Sequence, residues 1–376
     1  MKCVIMNKSR TLWKGVGYML SRLHSKYAVP TALGLCLTHL CNIDCVYCMR
    51  QTFKPVAGYM TLKNVKNLMK RMPYIWSVTI QGLCEPFLNP ETPAIIRWLK
   101  SQGYHISFTT NGMVALTGER LECLRDIDDF VISIDTNDPK TFTYLRGGAR
   151  LEVVMKNLER VVEMKRSLGL SKHDNPPFHV NAVITTLNFN QIPDLIRMLE
   201  PYADQITYLM VDPVSRPDYS KEEPLAIKHD AEFDANIREL REFVKTSKIS
   251  VVGLDYMLVP SYNWKDCPMA WGNLWVEPNG DIYNCYGFDY VVGNVFTESP
   301  LLAFNSRKQR DFRKMLSTSN PPLRQCHSCN FAREGWQYHG GYVARSRELS
   351  VNKRMDFYEG LKHVLVVLTR KGGYSF

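Results

Sequence analysis

From residue 31 to about residue 211 the chain alternates short apolar runs with longer stretches of helical periodicity. Ala32–Leu37, Ser77–Gln81, His105–Thr110, Phe130–Asp135, His179–Ile184 and Ile206–Val211 read as strands. Between them Leu62–Met72, Ala94–Gln102, Arg120–Ile127, Leu151–Leu168 and Ile192–Leu199 read as helices. Runs that are apolar throughout suit strands covered on both faces, and strands separated by helices are joined by right-handed crossovers into a parallel sheet. The expected class is therefore α/β. Six units are too few for a complete eight-fold barrel, and in such parallel α/β sheets the functional groups gather at the C-terminal ends of the strands.

At 376 residues, with 45% hydrophobic and 22% charged residues, the chain has the composition of a folded protein with a full core. It contains no apolar run near the ~20 residues of a membrane span. The N-terminus lacks the apolar core of a secretory signal, so a cytoplasmic location is expected. In that compartment eleven cysteines point to metal ligation before disulfides. The formal charge of +10 is uneven: the segment before Asp44 has no acidic residue but carries Lys2, Lys8, Arg10, Lys14, Arg22 and Lys26. Trp13, Val16, Leu20 and Leu23 recur there at helical spacing, which describes a basic amphipathic helix over 1–30. Such a helix either makes peripheral membrane contact or covers an end of the barrel. No nucleic-acid recognition motif accompanies the charge, and no nucleic-acid partner is expected. Residues 212–230, rich in proline and charge, read as a linker. The expected domains are 1–30, a barrel over 31–230, a cysteine-rich unit over 231–335 and a helical tail over 336–376.

Directly after the first apolar run stand Cys41, Cys45 and Cys48, as Cys-Asn-Ile-Asp-Cys-Val-Tyr-Cys. Three thiolates on a short loop can hold three irons of a [4Fe–4S] cluster and leave the fourth open to an exchangeable ligand. Zinc is the other reading of three clustered cysteines. A second set, Cys267, Cys285, Cys326 and Cys329, lies late in the chain. A hairpin centred on Pro278-Asn279-Gly280-Asp281 brings the chain back between the first two, and Cys326-His327-Ser328-Cys329 supplies a CxxC pair. Four ligands complete one [4Fe–4S] cluster, and they would equally build a zinc ribbon.

The CxxxCxxC triplet, with Tyr47 before its third cysteine, resembles the signature of the radical S-adenosylmethionine (radical SAM) superfamily. That resemblance implies that the six strand–helix units form an open, partial (βα)6 TIM-like barrel, and that SAM chelates the open iron and is cleaved to a 5′-deoxyadenosyl radical. Gly82-Leu83-Cys84-Glu85-Pro86 resembles the family's Gly-x-Gly-Glu-Pro stretch, which implies that Gly82 and Glu85 receive the ammonium of SAM. Cys84 stands there in place of the second glycine and is a candidate hydrogen-atom donor, with Cys36 and Cys123 as spare thiols. Thr109-Thr110-Asn111-Gly112 follows the third strand in the family's order. By the same resemblance Ser133 and Asp135 lie near the carboxylate and ribose of SAM, Arg146 pairs with the carboxylate, and Asn188 lies near the adenine. The late cysteines, with Gly280 five residues before Cys285 and Gly293-Asn294-Val295 beyond it, resemble the SPASM/twitch extension. A full SPASM domain carries about seven cysteines. None follows Cys329 here, which implies the shorter, single-cluster form.

A single complete auxiliary cluster suits an electron acceptor. The leading expectation is dehydrogenation of a hydroxyl-bearing small molecule such as a sugar or polyol, with a flavodoxin- or ferredoxin-like donor for the first electron. Epimerisation with a cysteine hydrogen donor, and maturation of a peptide or protein, are the enzymatic alternatives. A cysteine-cluster zinc module without catalysis is the non-enzymatic one. Asp212, Arg216, Asp255 and Tyr256 are candidate substrate contacts.

Overall fold

The computed structural model describes residues 28–48, 50, 57–213, 225, 231–254, 267–283, 285, 291–316 and 326. The basic segment 1–27, the tail beyond 326, Cys329, Arg216, Asp255 and Tyr256 lie outside them. Ten strands form one sheet in the order β10-β9-β8-β1-β2-β3-β4-β5-β6-β7. The strands are β1 (Ala32–Leu35), β2 (Ser77–Ile80), β3 (His105–Thr110), β4 (Asp129–Ser133), β5 (Phe178–Ile184), β6 (Ile206–Pro213), β7 (Val251–Val252), β8 (Asn273–Val276), β9 (Asp281–Tyr283) and β10 (Val291–Asn294). Every pair from β1 to β7 is parallel, as helix-bearing crossovers require. This is the parallel α/β order expected from the alternation and the partial barrel that the resemblance implies.

Ten α-helices occur among the described residues, including the five that periodicity predicts between the barrel strands. They are α1 (Leu62–Arg71), α2 (Thr92–Ser101), α3 (Glu119–Glu122, continued as a 3-10 turn over Cys123–Asp126), α4 (Pro139–Leu145), α5 (Leu151–Ser167), α6 (Ile192–Leu199), α7 (Ala231–Val244), α8 (Pro268–Trp271), α9 (Pro300–Phe304) and α10 (Arg307–Leu316). On α5, Leu151, Val154, Leu158, Val161 and Val162 form the stripe buried against the sheet. Thr61 caps α1 by accepting from Asn64 N at 3.2 Å, and Asp138 caps α4 by accepting from Thr141 N at 2.7 Å.

Alternate strand residues point to opposite faces. Val78, Ile80, Ile106, Phe108, Val180 and Ala182 belong to the main hydrophobic core. Thr79, Ser107 and Asn181 occupy the other face, toward the barrel interior. Among the described residues Thr79 Oγ1, Ser107 Oγ and Asn181 Oδ1 find no hydrogen-bond partner. The barrel is thus lined, midway along its strands, by small polar groups.

Two features depart from the expected domain limits. The boundary anticipated at residue 230 falls within the barrel's packing: Phe233, Ile237 and Leu240 of α7 belong to the main core, and β7 pairs with β6. The late hairpin is not a detached unit either. β8 pairs parallel to β1, with Gly34 opposite Trp275, before turning back into β9. A Cβ at Gly34 would stand 2.3 Å from the Trp275 ring, so the absence of a side chain lets the indole lie against β1.

Candidate active site

The loop carrying Cys41, Cys45 and Cys48 leaves the C-terminal end of β1, the end where the fold gathers its functional groups. A turn closes it, with Cys48 N donating to Cys45 O at 3.0 Å. Asp44 N donates to Gly147 O at 3.2 Å and Val46 N to Leu145 O at 3.0 Å, which fasten the loop to the end of α4. Gly147 has φ +51°, and a Cβ there would fall 1.9 Å from Asp44 O. Glycine is therefore required at the point where the two segments touch.

No disulfide joins any two of the described cysteines. Burial is the main cause that pushes the Cys41 thiol up to about 11 and the Cys45 thiol up to about 12, with smaller contributions from nearby carboxylates and from other cysteines of the triplet. Cys48 is raised as well, again chiefly by burial. Three thiols so placed become thiolates only beside a cationic centre, and their donor set suits iron. The site fits a cluster bound by three cysteines.

Asp135 organises the groups around this loop. Arg146 donates from Nε and Nη2 to its two oxygens, both at 2.6 Å, in a buried two-point pair. Tyr47 OH also donates to this carboxylate, and Val183 N donates to Oδ1 at 2.9 Å. The Arg146 guanidinium stands 5.8 Å from the Tyr47 ring centre. Arg146 was expected to pair with the carboxylate of SAM. Its Nε and Nη2 are committed instead to Asp135, the acid expected near the ribose. Ser133, two residues earlier on β4, is buried and pairs in register with Asn181.

Two other expected contacts turn inward. Glu85 is wholly buried and accepts from Thr110 Oγ1, Asn111 N and Phe87 N at 2.8–3.1 Å. Burial pushes its carboxyl up to about 7. It ties the Gly82–Pro86 loop to the Thr110–Gly112 turn. Asn188 is also wholly buried. Its Oδ1 accepts from Thr185 N at 2.7 Å and Thr185 Oγ1 at 3.0 Å, and its Nδ2 donates to Asp135 O at 2.8 Å and Val183 O at 3.0 Å. Its amide thus closes the β5 turn onto the end of β4. Gly82 is half-buried, and Cys84 Sγ lies 3.7 Å from Cys36 Sγ.

Asn111 was legible only as part of a turn motif, yet it reaches the cysteine loop. Its Nδ2 lies 3.6 Å from Cys41 Sγ and 2.9 Å from Asn42 Oδ1. A strand–Asn–Gly turn directly after a cysteine-bearing loop in the sheet order was the available signal.

Of the late cysteines, Cys267, Cys285 and Cys326 lie in one buried apolar cluster with Met269, Ala270, Trp275, Tyr283, Phe312 and Leu316. Cys329 falls outside the described residues. Arg313 closes this region from α10. It donates to Ala270 O, Asn305 Oδ1 and Phe304 O at 2.8–2.9 Å, so each of its three guanidinium nitrogens makes a hydrogen bond in this buried setting. The three cysteines and their apolar walls fit an iron–sulfur cluster shielded from water. Trp275 belongs to this group and also lies against Gly34 of β1, so one indole separates the late cysteines from the barrel strand that precedes the early ones.

Comparison with known proteins agrees with this arrangement. The pattern of the radical SAM superfamily matches residues 35–171, and that of the SPASM iron–sulfur cluster-binding domain matches 267–330. The tungsten-containing aldehyde ferredoxin oxidoreductase cofactor-modifying protein of Pyrococcus furiosus is 26% identical over 168 residues, 43% of this chain and 46% of its own. A probable GTP 3′,8-cyclase of Methanococcus maripaludis is 29% identical over 168 residues, 43% of this chain and 52% of its own. The chain thus spans about half the length of these curated relatives. Among solved structures, Streptococcus suis SuiB bound to S-adenosylmethionine superposes with a TM-score of 0.62 at 17% identity, covering 81% of this chain and 73% of its own. Native anSMEcpe with bound AdoMet gives 0.58 at 15% identity, covering 90% and 98%. At such identities the likeness is one of fold. Among the described residues no helix is long and apolar enough to cross a membrane.

Proposed function

We propose that this chain, which carries a radical SAM region and a C-terminal SPASM domain, is a radical SAM enzyme that dehydrogenates a hydroxyl-bearing small molecule, with the auxiliary cluster taking up an electron. A SAM-binding [4Fe–4S] cluster and an auxiliary iron–sulfur cluster are its cofactors. Together with SAM they supply reductive cleavage of the sulfonium, hydrogen abstraction by the resulting 5′-deoxyadenosyl radical, and an acceptor for the substrate's electron.

The ligands we assign are Cys41, Cys45 and Cys48 for the first cluster and Cys267, Cys285, Cys326 and Cys329 for the second. Asp135 holds Tyr47 and Arg146 in place and so sets the conformation of the first loop. Glu85 holds the Gly82–Cys84 backbone, whose carbonyls are then the acceptors offered to the SAM ammonium. Gly82 and Ser133 remain the groups assigned to SAM itself. Below them Thr79, Ser107 and Asn181 offer hydrogen bonds that no described residue takes up. A buried polar group without a partner costs about 1–3 kcal/mol, so a polar, hydroxylated substrate or water suits this lining better than an apolar one.

The observation that carries the oxidative reading is the gathering of Cys267, Cys285 and Cys326 in one buried apolar cluster separated from β1 by Trp275. With Cys329 the second cluster would have four protein ligands. It would then exchange electrons without binding substrate. A flavodoxin- or ferredoxin-like protein is the proposed donor, and the net charge of +10 favours an acidic partner.

The test is an anaerobic incubation of reconstituted enzyme with SAM, reductant and specifically deuterated polyols and nucleotide sugars. The reading expects deuterium in 5′-deoxyadenosine and a ketone product. It also expects the Cys285→Ala variant to keep SAM cleavage while losing ketone formation. Deuterium transfer from a peptide instead, or a product at the substrate's own oxidation level, would overturn it.

A further inference from the structure

Among the described residues, outside the cysteines assigned to clusters, Cys36 at the end of β1, His39 on the following loop and Glu277 directly after β8 come together as metal-binding side chains, with Cys84 after β2 beside Cys36. One donor atom each from Cys36, His39 and Glu277 lies within 4.8 Å of the other two, and all three side chains are buried. His39 Nε2 and a Glu277 carboxylate oxygen are in direct contact. Cys36 Sγ lies 3.7 Å from Cys84 Sγ and donates to Thr38 O at 3.0 Å. We propose that Cys36, His39, Cys84 and Glu277 form a mononuclear zinc site joining the barrel to the auxiliary domain.

Donor chemistry and geometry agree on the metal. Two thiolates, one imidazole and one carboxylate are the ligand types that zinc takes in tetrahedral sites. With Zn–S bonds of about 2.3 Å, tetrahedral sulfurs stand about 3.8 Å apart, close to the separation of Cys36 and Cys84. Gly82 leaves the space for them: a Cβ there would lie 2.9 Å from Cys36 Sγ and 3.6 Å from Cys84 Sγ. The hydrogen bond to Cys84, then burial, then the facing charges of Cys84 and Glu277, push the Cys36 thiol well above its ordinary value. A divalent cation offsets all three effects. Binding releases the two thiol protons to solvent and leaves the site with one net negative charge.

Position gives the site its consequence. Cys36 N donates to Val276 O at 3.0 Å, so the ion would lie where β1 meets β8, and it would clamp the strand before the first cluster to the hairpin before Cys285. Zinc adds no redox step there. It also decides the role of Cys84, since a zinc-bound thiolate has no S–H hydrogen to give a substrate radical.

The test is metal analysis of the whole protein, expressed with iron and zinc and purified anaerobically, joined to zinc K-edge X-ray absorption. Expected is about one zinc per chain, with two sulfurs at about 2.3 Å and two nitrogen or oxygen ligands at about 2.0–2.1 Å. Cys36→Ser and Glu277→Gln should each lower zinc at least tenfold while iron stays at the wild-type level. Absence of zinc, zinc that persists in Cys36→Ser, or a four-sulfur spectrum placing zinc on the late cysteines would each overturn the proposal. If either variant fails to fold, the ligand count in the wild-type spectrum decides alone.

Discussion

Asp135 accepts from Tyr47, from two nitrogens of Arg146 and from Val183 N, all within a buried setting. Replacing it by asparagine leaves the Arg146 guanidinium buried without its counter-charge, a change that costs about 3–5 kcal/mol. Asp135→Asn should therefore melt lower and retain less iron after reconstitution, whereas Ser133→Ala should leave the melting temperature nearly unchanged. Glu85 gives a pH signature. Its folded-state value of about 7 lies above the ordinary 4.5 because of burial. Between those values the folded state holds a proton that the unfolded chain has released, so stability falls as pH rises from about 4.5 to about 7. Anaerobic melts across that range should show this slope in the wild type and not in Glu85→Gln. Asn111 points at Cys41 Sγ, and a hydrogen bond to a cluster sulfur raises the reduction potential. Asn111→Ala should lower the potential of the first cluster in a redox titration. The residue types at these strand ends and their order were legible in the sequence. The inward turn of Glu85 and Asn188 was not, because it depends on which neighbours take up a side chain's hydrogen bonds, and those neighbours are distant in the chain.

The strands and helices of the barrel were legible because each carries its own periodicity. His105–Thr110 and Ile192–Leu199 match their expected limits, and most other ends moved by one or two residues. One helix escaped notice. α4 is only seven residues long, too short to show a stripe, though Asp138 as a cap and Pro139 at the first position marked its start. That helix matters because Leu145 and Gly147 at its end hold the cysteine loop. Gly147→Ala would press a methyl group into Asp44 O at a positive φ. The account predicts a loss of iron from the first cluster larger than the loss of helical signal, read by iron analysis alongside circular dichroism.

On the scale of the whole molecule, what the sequence could not reveal was the β1–β8 junction. Pairing between strands so far apart in the chain leaves no local trace, and the cysteine-rich hairpin reads on its own as a separate unit. In the structure it extends the barrel's sheet, with Trp275 against Gly34 on one side and among the late cysteines on the other. Gly34→Val should displace that indole and slow electron transfer between the clusters while leaving both of them assembled. All of this presumes two clusters on two separate cysteine sets. The decisive measurement is iron and sulfide per chain in three proteins: wild type, the Cys41/Cys45/Cys48→Ala triple variant, and the Cys267/Cys285/Cys326/Cys329→Ala quadruple variant. The account predicts about eight irons in the first and about four in each of the others. A quadruple variant that keeps all the iron of the wild type would contradict it.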